Sequence, residues 1–139
     1  MPSKIEQLLQ KRNEVIDYDA LIEKFPWIIE KDRKCVLSPD SDGLLCGLFM
    51  AHYRGWKIVG FYDDKVGLIN NNNRYNDIVF LDGEIFRSEA KSMGHHMVCL
   101  NNKKKSLLND GFRNCIQPNL MRNYDGKTHF RLKYPLANP

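Results

Sequence analysis

No apolar run in this 139-residue chain approaches the ~20 residues a membrane-spanning helix requires. The opening MPSKIEQLLQKR also lacks the uninterrupted apolar core of a secretion signal. A helical membrane span is therefore not expected, and an intracellular, cytoplasmic setting is. Cysteine is sparse: Cys35, Cys46, Cys99 and Cys115 form no CxxC pair and have no histidine at zinc-finger spacing, which argues against a disulfide framework or a zinc site. Three of them fall in apolar segments, where a reduced thiol behaves as a small hydrophobe. There is no repeat, no low-complexity tract and no linker, so residues 1–139 read as one domain. Residues 1–33 form a helical leader to a core at 34–139.

The charge present is unevenly spread. The first fifty residues carry seven basic and nine acidic side chains, the next fifty six of each, and the last thirty-nine eight basic against two acidic. A basic final third suits a polyanion such as nucleic acid or a nucleotide phosphate. The alternative, a solvated lysine-rich loop, stays open on charge alone.

One stretch organises the rest: CVLSPDSDGLLCGLFMAHYRGWKIVGFY, residues 35–62. It reads as a buried strand (Lys34 to Ser38), an acidic turn, a helix with Leu44, Leu45, Leu48, Phe49 and His52 along one face, a glycine cap at Gly55, and a strand from Trp56 to Tyr62. Before it, Asp19 is placed to cap a short helix that Pro26 ends, with Trp27 as an apolar hook. After it, Asp77 to Gly83 predicts a third strand and its exit turn, Glu84 to Met93 a helix ending at Gly94, and His96 to Leu100 a fourth strand. Cys115 to Asn119 predicts a short strand ending at a proline. Strands separated by single helices give an α/β fold with a mainly parallel sheet and flanking helices.

In such sheets ligands sit outside the carboxyl ends of the strands. Asp40 and Asp42 follow the first strand, Asp82 ends the third, and a parallel sheet brings all three to one rim. Clustered carboxylates repel unless protons or a cation compensate them, and hard oxygen donors favour Mg²⁺ or Mn²⁺. Such ions activate a water and clamp a phosphate oxygen. The competing explanation is helix capping, which accounts for one aspartate better than for two. His95 and His96 open the predicted fourth strand, on the opposite edge, and read as surface or structural residues.

The order SPDSDG, helix, strand, then VFLDGEIFRSEAKSMG, then CIQPN resembles the N-terminal domain of the DHH phosphoesterases, nearest the RecJ-type branch, over about residues 34–120. The resemblance implies that Asp40 and Asp42 match metal carboxylates of the family's first motif and that Asp82 matches the second-motif aspartate. Ser38 stands where an Asp or His is expected. At the end of the predicted fourth strand, Asn101-Asn102-Lys103 occupies the place of the Asp-His-His triplet. Two functions follow. One is a Mn²⁺- or Mg²⁺-dependent phosphoesterase in which Asp40, Asp42 and Asp82 hold metal. Asn101, Asn102, Lys103, Lys104 and Lys105 would then meet the phosphates. The other is a DHH-like module that has lost hydrolysis and binds nucleotide or nucleic acid, or serves in assembly. A PP-loop nucleotide-binding domain fits less well, because its turn wants several glycines and SPDSDG offers only Gly43. The unfinished sheet pattern before Pro139 predicts a protein partner or a further C-terminal domain.

Overall fold

The computed structural model describes residues 4, 7, 16–70, 72–95 and 110–117. Helix α1 (Tyr18–Lys24) is capped by Asp17, whose carboxylate accepts the Ala20 N–H at 3.0 Å, and Asp19 lies in its first turn instead of capping it. A 3₁₀ turn (Pro26–Ile29) inserts Trp27 into the core. Then come β1 (Lys34–Leu37), α2 (Ser41–Arg54), β2 (Lys57–Tyr62), β3 (Gly67–Ile69), β4 (Ile78–Leu81), β5 (Lys91–Met93) and β6 (Cys115–Ile116). The six strands form one sheet in the order β3-β2-β1-β4-β5-β6. All neighbours are parallel except β2 and β3, which are antiparallel. This is an α/β architecture with a mixed, mostly parallel sheet.

The central strands are buried on both sides, which explains their unbroken apolar runs. Cys35, Leu37, Val79 and Leu81 face one layer with Phe25, Trp27, Met50, Trp56 and Ile116. Val36, Ile78 and Phe80 face the other with Ile85 and Ala90. The first layer is built by helices. The second, among the described residues, is built by irregular chain.

Helix α2 departs from expectation in what it buries. It meets the sheet through Gly43, Gly47 and Met50, while Leu44, Leu45, Leu48, Phe49 and Tyr53 stay exposed. A Cβ on Gly47 would lie 2.6 Å from Leu37 Cδ1, and one on Gly43 would run into the Ser38 carbonyl oxygen. The two glycines let the helix sit close against the exit of β1. Gly55 ends it in the left-handed conformation, φ 68°, as its sequence position predicts. Between α1 and α2 the apolar side chains line a groove of about 830 Å³ that includes Tyr18, Leu21, Leu45 and Phe49.

The predicted helix over Glu84 to Met93 does not form. Residues 84–90 are irregular and Lys91–Met93 is strand β5. The Ile85 N–H goes to Ser92 Oγ at 3.2 Å, the Ala90 N–H to the Arg87 carbonyl, and the Ser88 carbonyl accepts from Asn114 Nδ2 at 2.6 Å. These backbone groups thus find partners outside an i−4 ladder. The predicted fourth strand at 96–100 lies outside the described residues, and β5 comes before it. The antiparallel β3 at the sheet edge was not foreseen. Its turn is tied by Asp63, whose Oδ1 accepts the Lys65 and Val66 N–H groups at 3.0 and 2.7 Å.

Candidate metal centre

The chain leaves β1 towards β2 on one side and resumes at β4 on the other. The loops that follow β1 and β4 diverge there, opening a crevice at the carboxyl rim. Asp40 and Asp42 lie on one lip and Asp82 on the other.

Asp40 is the N-cap of α2: its Oδ1 accepts the Gly43 N–H at 2.9 Å and its Oδ2 the Ser38 hydroxyl at 2.7 Å. The Gly43 amide and then the Ser38 hydroxyl hold the Asp40 carboxyl below the usual carboxylate range, with a smaller contribution from a hydrogen bond to the Asp82 side chain. Ser38 thus positions Asp40. Asp42, in the first helical turn, is not needed for capping and leaves its carboxylate 59 % exposed over the crevice.

Asp82 is only 6 % exposed and adopts a left-handed backbone, φ 59°, uncommon for a residue with a side chain. The turn it makes lets the Gly83 N–H bond the Met93 carbonyl at 3.2 Å. That bond fastens the exit of β4 to the end of β5 and sets Asp82 beside His95. His95 Nε2 stands 3.0 Å from Asp82 Oδ1 and 3.5 Å from Asp42 Oδ2. One donor atom each from Asp42, Asp82 and His95 falls within 4.8 Å of the others.

No family model, curated protein or solved structure matches this chain. Bonds of about 2.1 Å put adjacent donors of an octahedral ion about 3.0 Å apart. The separations from His95 Nε2, 3.0 and 3.5 Å, are near that edge length, while the three donor atoms together span up to 4.8 Å, so the side chains would have to draw closer to share one ion. Two carboxylates and an imidazole suit Mn²⁺, and the carboxylates also suit Mg²⁺.

The expectation that His95 opens a strand on the far edge is overturned: it follows β5, at the carboxyl edge. The error has one source. Reading 84–93 as a helix moved the next strand to His96–Leu100 and reversed the histidine's edge. The Lys91-Ser92-Met93 alternation (half-buried, buried, half-buried) was too short a signal to compete with the helical pattern. Asn101, Asn102, Lys103, Lys104 and Lys105 lie outside the described residues, as does His96.

The half-buried Cys46, one turn after Asp42, also registers the acidic rim. Its thiol is pushed up first by burial, then by the charges of Asp82, Asp42 and Asp40. Cys35 and Cys115 are buried free thiols pushed up to about 11 by desolvation. They are packing residues.

Proposed function

We propose that this chain is a DHH-like phosphoesterase domain that acts on a phosphodiester of nucleic acid or a nucleotide with Mn²⁺ or Mg²⁺. The observation that carries the reading is the convergence of Asp42, Asp82 and His95 at the point where the strand order reverses. The end of β5 at Met93 supports it further. Gly94-His95-His96 then follows the strand after the Asp82 motif, the position of the family's Asp-His-His triplet, and Asn101-Asn102-Lys103 no longer has to fill that role. A divalent ion bound there supplies Lewis acidity towards a phosphoryl oxygen and a water. Asp82, buried and held by its turn, fixes one donor. His95 Nε2 fixes a second, and the exposed Asp42 closes the set from α2. Asp40 and Ser38 hold the loop that carries Asp42. Gly94 in place of an aspartate favours the second reading, a module that keeps cation and phosphate binding without hydrolysis.

Calorimetric titration with Mn²⁺ tests the centre. Asp82→Asn is expected to weaken binding by at least about 100-fold and His95→Ala by about 10- to 100-fold. Absence of binding by the wild type at millimolar Mn²⁺ overturns the reading. Incubation of the loaded protein with 5′-phosphorylated single-stranded DNA, short oligoribonucleotides and cyclic dinucleotides then separates hydrolase from binding module.

A further inference from the structure

Helix α2 is apolar on nearly every side. It packs on the sheet through Gly43, Gly47 and Met50, yet Leu44, Leu45, Leu48, Phe49 and Tyr53 are between 47 % and 65 % exposed. A helix covering one side of a sheet ordinarily turns charged and polar residues outward, and one that is hydrophobic all round is buried in a larger structure. Leu44, Leu45, Leu48, Phe49 and His52 recur at helical spacing and so share one outward stripe. Single exposed leucines are ordinary, but a contiguous apolar patch marks a surface that meets something else.

One end of the patch is built of rings that already hold one another. Those of Phe49 and Tyr53 stand 4.6 Å apart, and His52 meets Tyr53 edge to face at 4.7 Å. Rings fixed in advance lose little freedom on docking, which suits them as anchors of an interface. Leu45, Phe49 and Tyr53 also line the groove shared with Tyr18 and Leu21, so the apolar surface continues to α1.

The polar groups at the two ends of the stripe indicate what lies on it. Asp42 in the first turn and His52 in the last are both exposed. The helical rise sets them about 15 Å apart. A second α2 laid antiparallel brings each Asp42 to the other copy's His52, whose ring N–H donates to a carboxylate, and it also opposes the two helix dipoles. A parallel arrangement sets like against like. The surface is thus complementary to itself under a two-fold rotation.

We propose that this face is the interface of a homodimer in which α2 of one protomer packs antiparallel on α2 of its partner. Leu45, Leu48 and Phe49 form its centre, and Asp42 and His52 close its ends. The patch is smaller than a permanent interface, so the dimer forms and dissociates in the micromolar range. Pairing through this side of α2 requires no cation.

Sedimentation equilibrium of the full chain in chelator, from about 1 to about 200 µM, is the test. The wild type is expected to pass from monomer to dimer across that range. Leu48→Glu, a charge at an exposed position, is expected to keep its fold by circular dichroism and to remain monomeric. His52→Glu sets a carboxylate against the other copy's Asp42 and is expected to weaken the dimer at least about fivefold. Asp42→Lys combined with His52→Glu restores opposite charges and is expected to recover most of the affinity. A wild type that stays monomeric throughout overturns the homodimer, as does a dimer that Leu48→Glu leaves intact. A dimer lost in Leu48→Glu but indifferent to both charge changes overturns the antiparallel arrangement. None of these outcomes bears on Mn²⁺ binding by the triad.

Discussion

The two halves of the sheet are connected in opposite ways. From β1 to β2 the chain crosses by a 14-residue helix with a carboxylate cap at one end and a glycine cap at the other. From β4 to β5 it crosses in nine residues without a helix, and side chains from elsewhere satisfy part of its backbone. The first connection is held by local rules, the second by distant partners. The rim site draws on both: Asp42 from the regular half, Asp82 and His95 from the irregular one. Rules of local propensity therefore find Asp42 and Asp82 and misplace His95.

That contrast can be broken at three points. The largest effect is expected from Gly43→Ala, which drives a methyl into the Ser38 backbone and should cost about 3 kcal/mol in urea unfolding. The control in the other half is Gly83→Ala. Nothing lies within 4 Å of a Cβ there, and the change should fall within about 0.5 kcal/mol of wild type. Next is Ser92→Ala, which leaves the buried Ile85 N–H without its acceptor and should cost about 2 kcal/mol. An equal loss from an exposed serine would show that the connection is not held this way.

The smallest is Asp40→Ala, expected to cost about 1 kcal/mol as a lost cap. Its pH dependence carries a sign. The folded-state Asp40 is held below the ordinary carboxylate range, so its contribution is fully present above that range and is lost as pH falls through the folded value. Acid melts of wild type and variant should therefore converge below the usual carboxylate titration and separate above it.

Much of the first half was legible. Asp40 before a helical run, Gly55 after it, and apolar segments on both sides of it are signals that act within a few residues. The carboxyl-edge placement of Asp82 was legible too, because a strand that ends in Asp-Gly marks its own exit. The Leu44–Leu48–Phe49 stripe misled, since it suggested a buried face where Gly43 and Gly47 do the packing. Between 84 and 93 the Ile85 N–H is held by Ser92 and the Ser88 carbonyl by Asn114, and the second of these partners lies outside any window of neighbouring residues. His95 was lost for that reason. What a histidine faces depends on which strand end it follows, and the strand was three residues long.

The backbone at Asp82 sets a conflict between durability and use. Its left-handed torsion is one that glycine adopts without steric penalty, so Asp82→Gly would relieve the backbone while giving up the contacts of Asp82 with His95 and Asp40. The same exchange would remove the deepest carboxylate of the rim. On the proposed reading, a descendant that made this exchange would lose a donor for its cation.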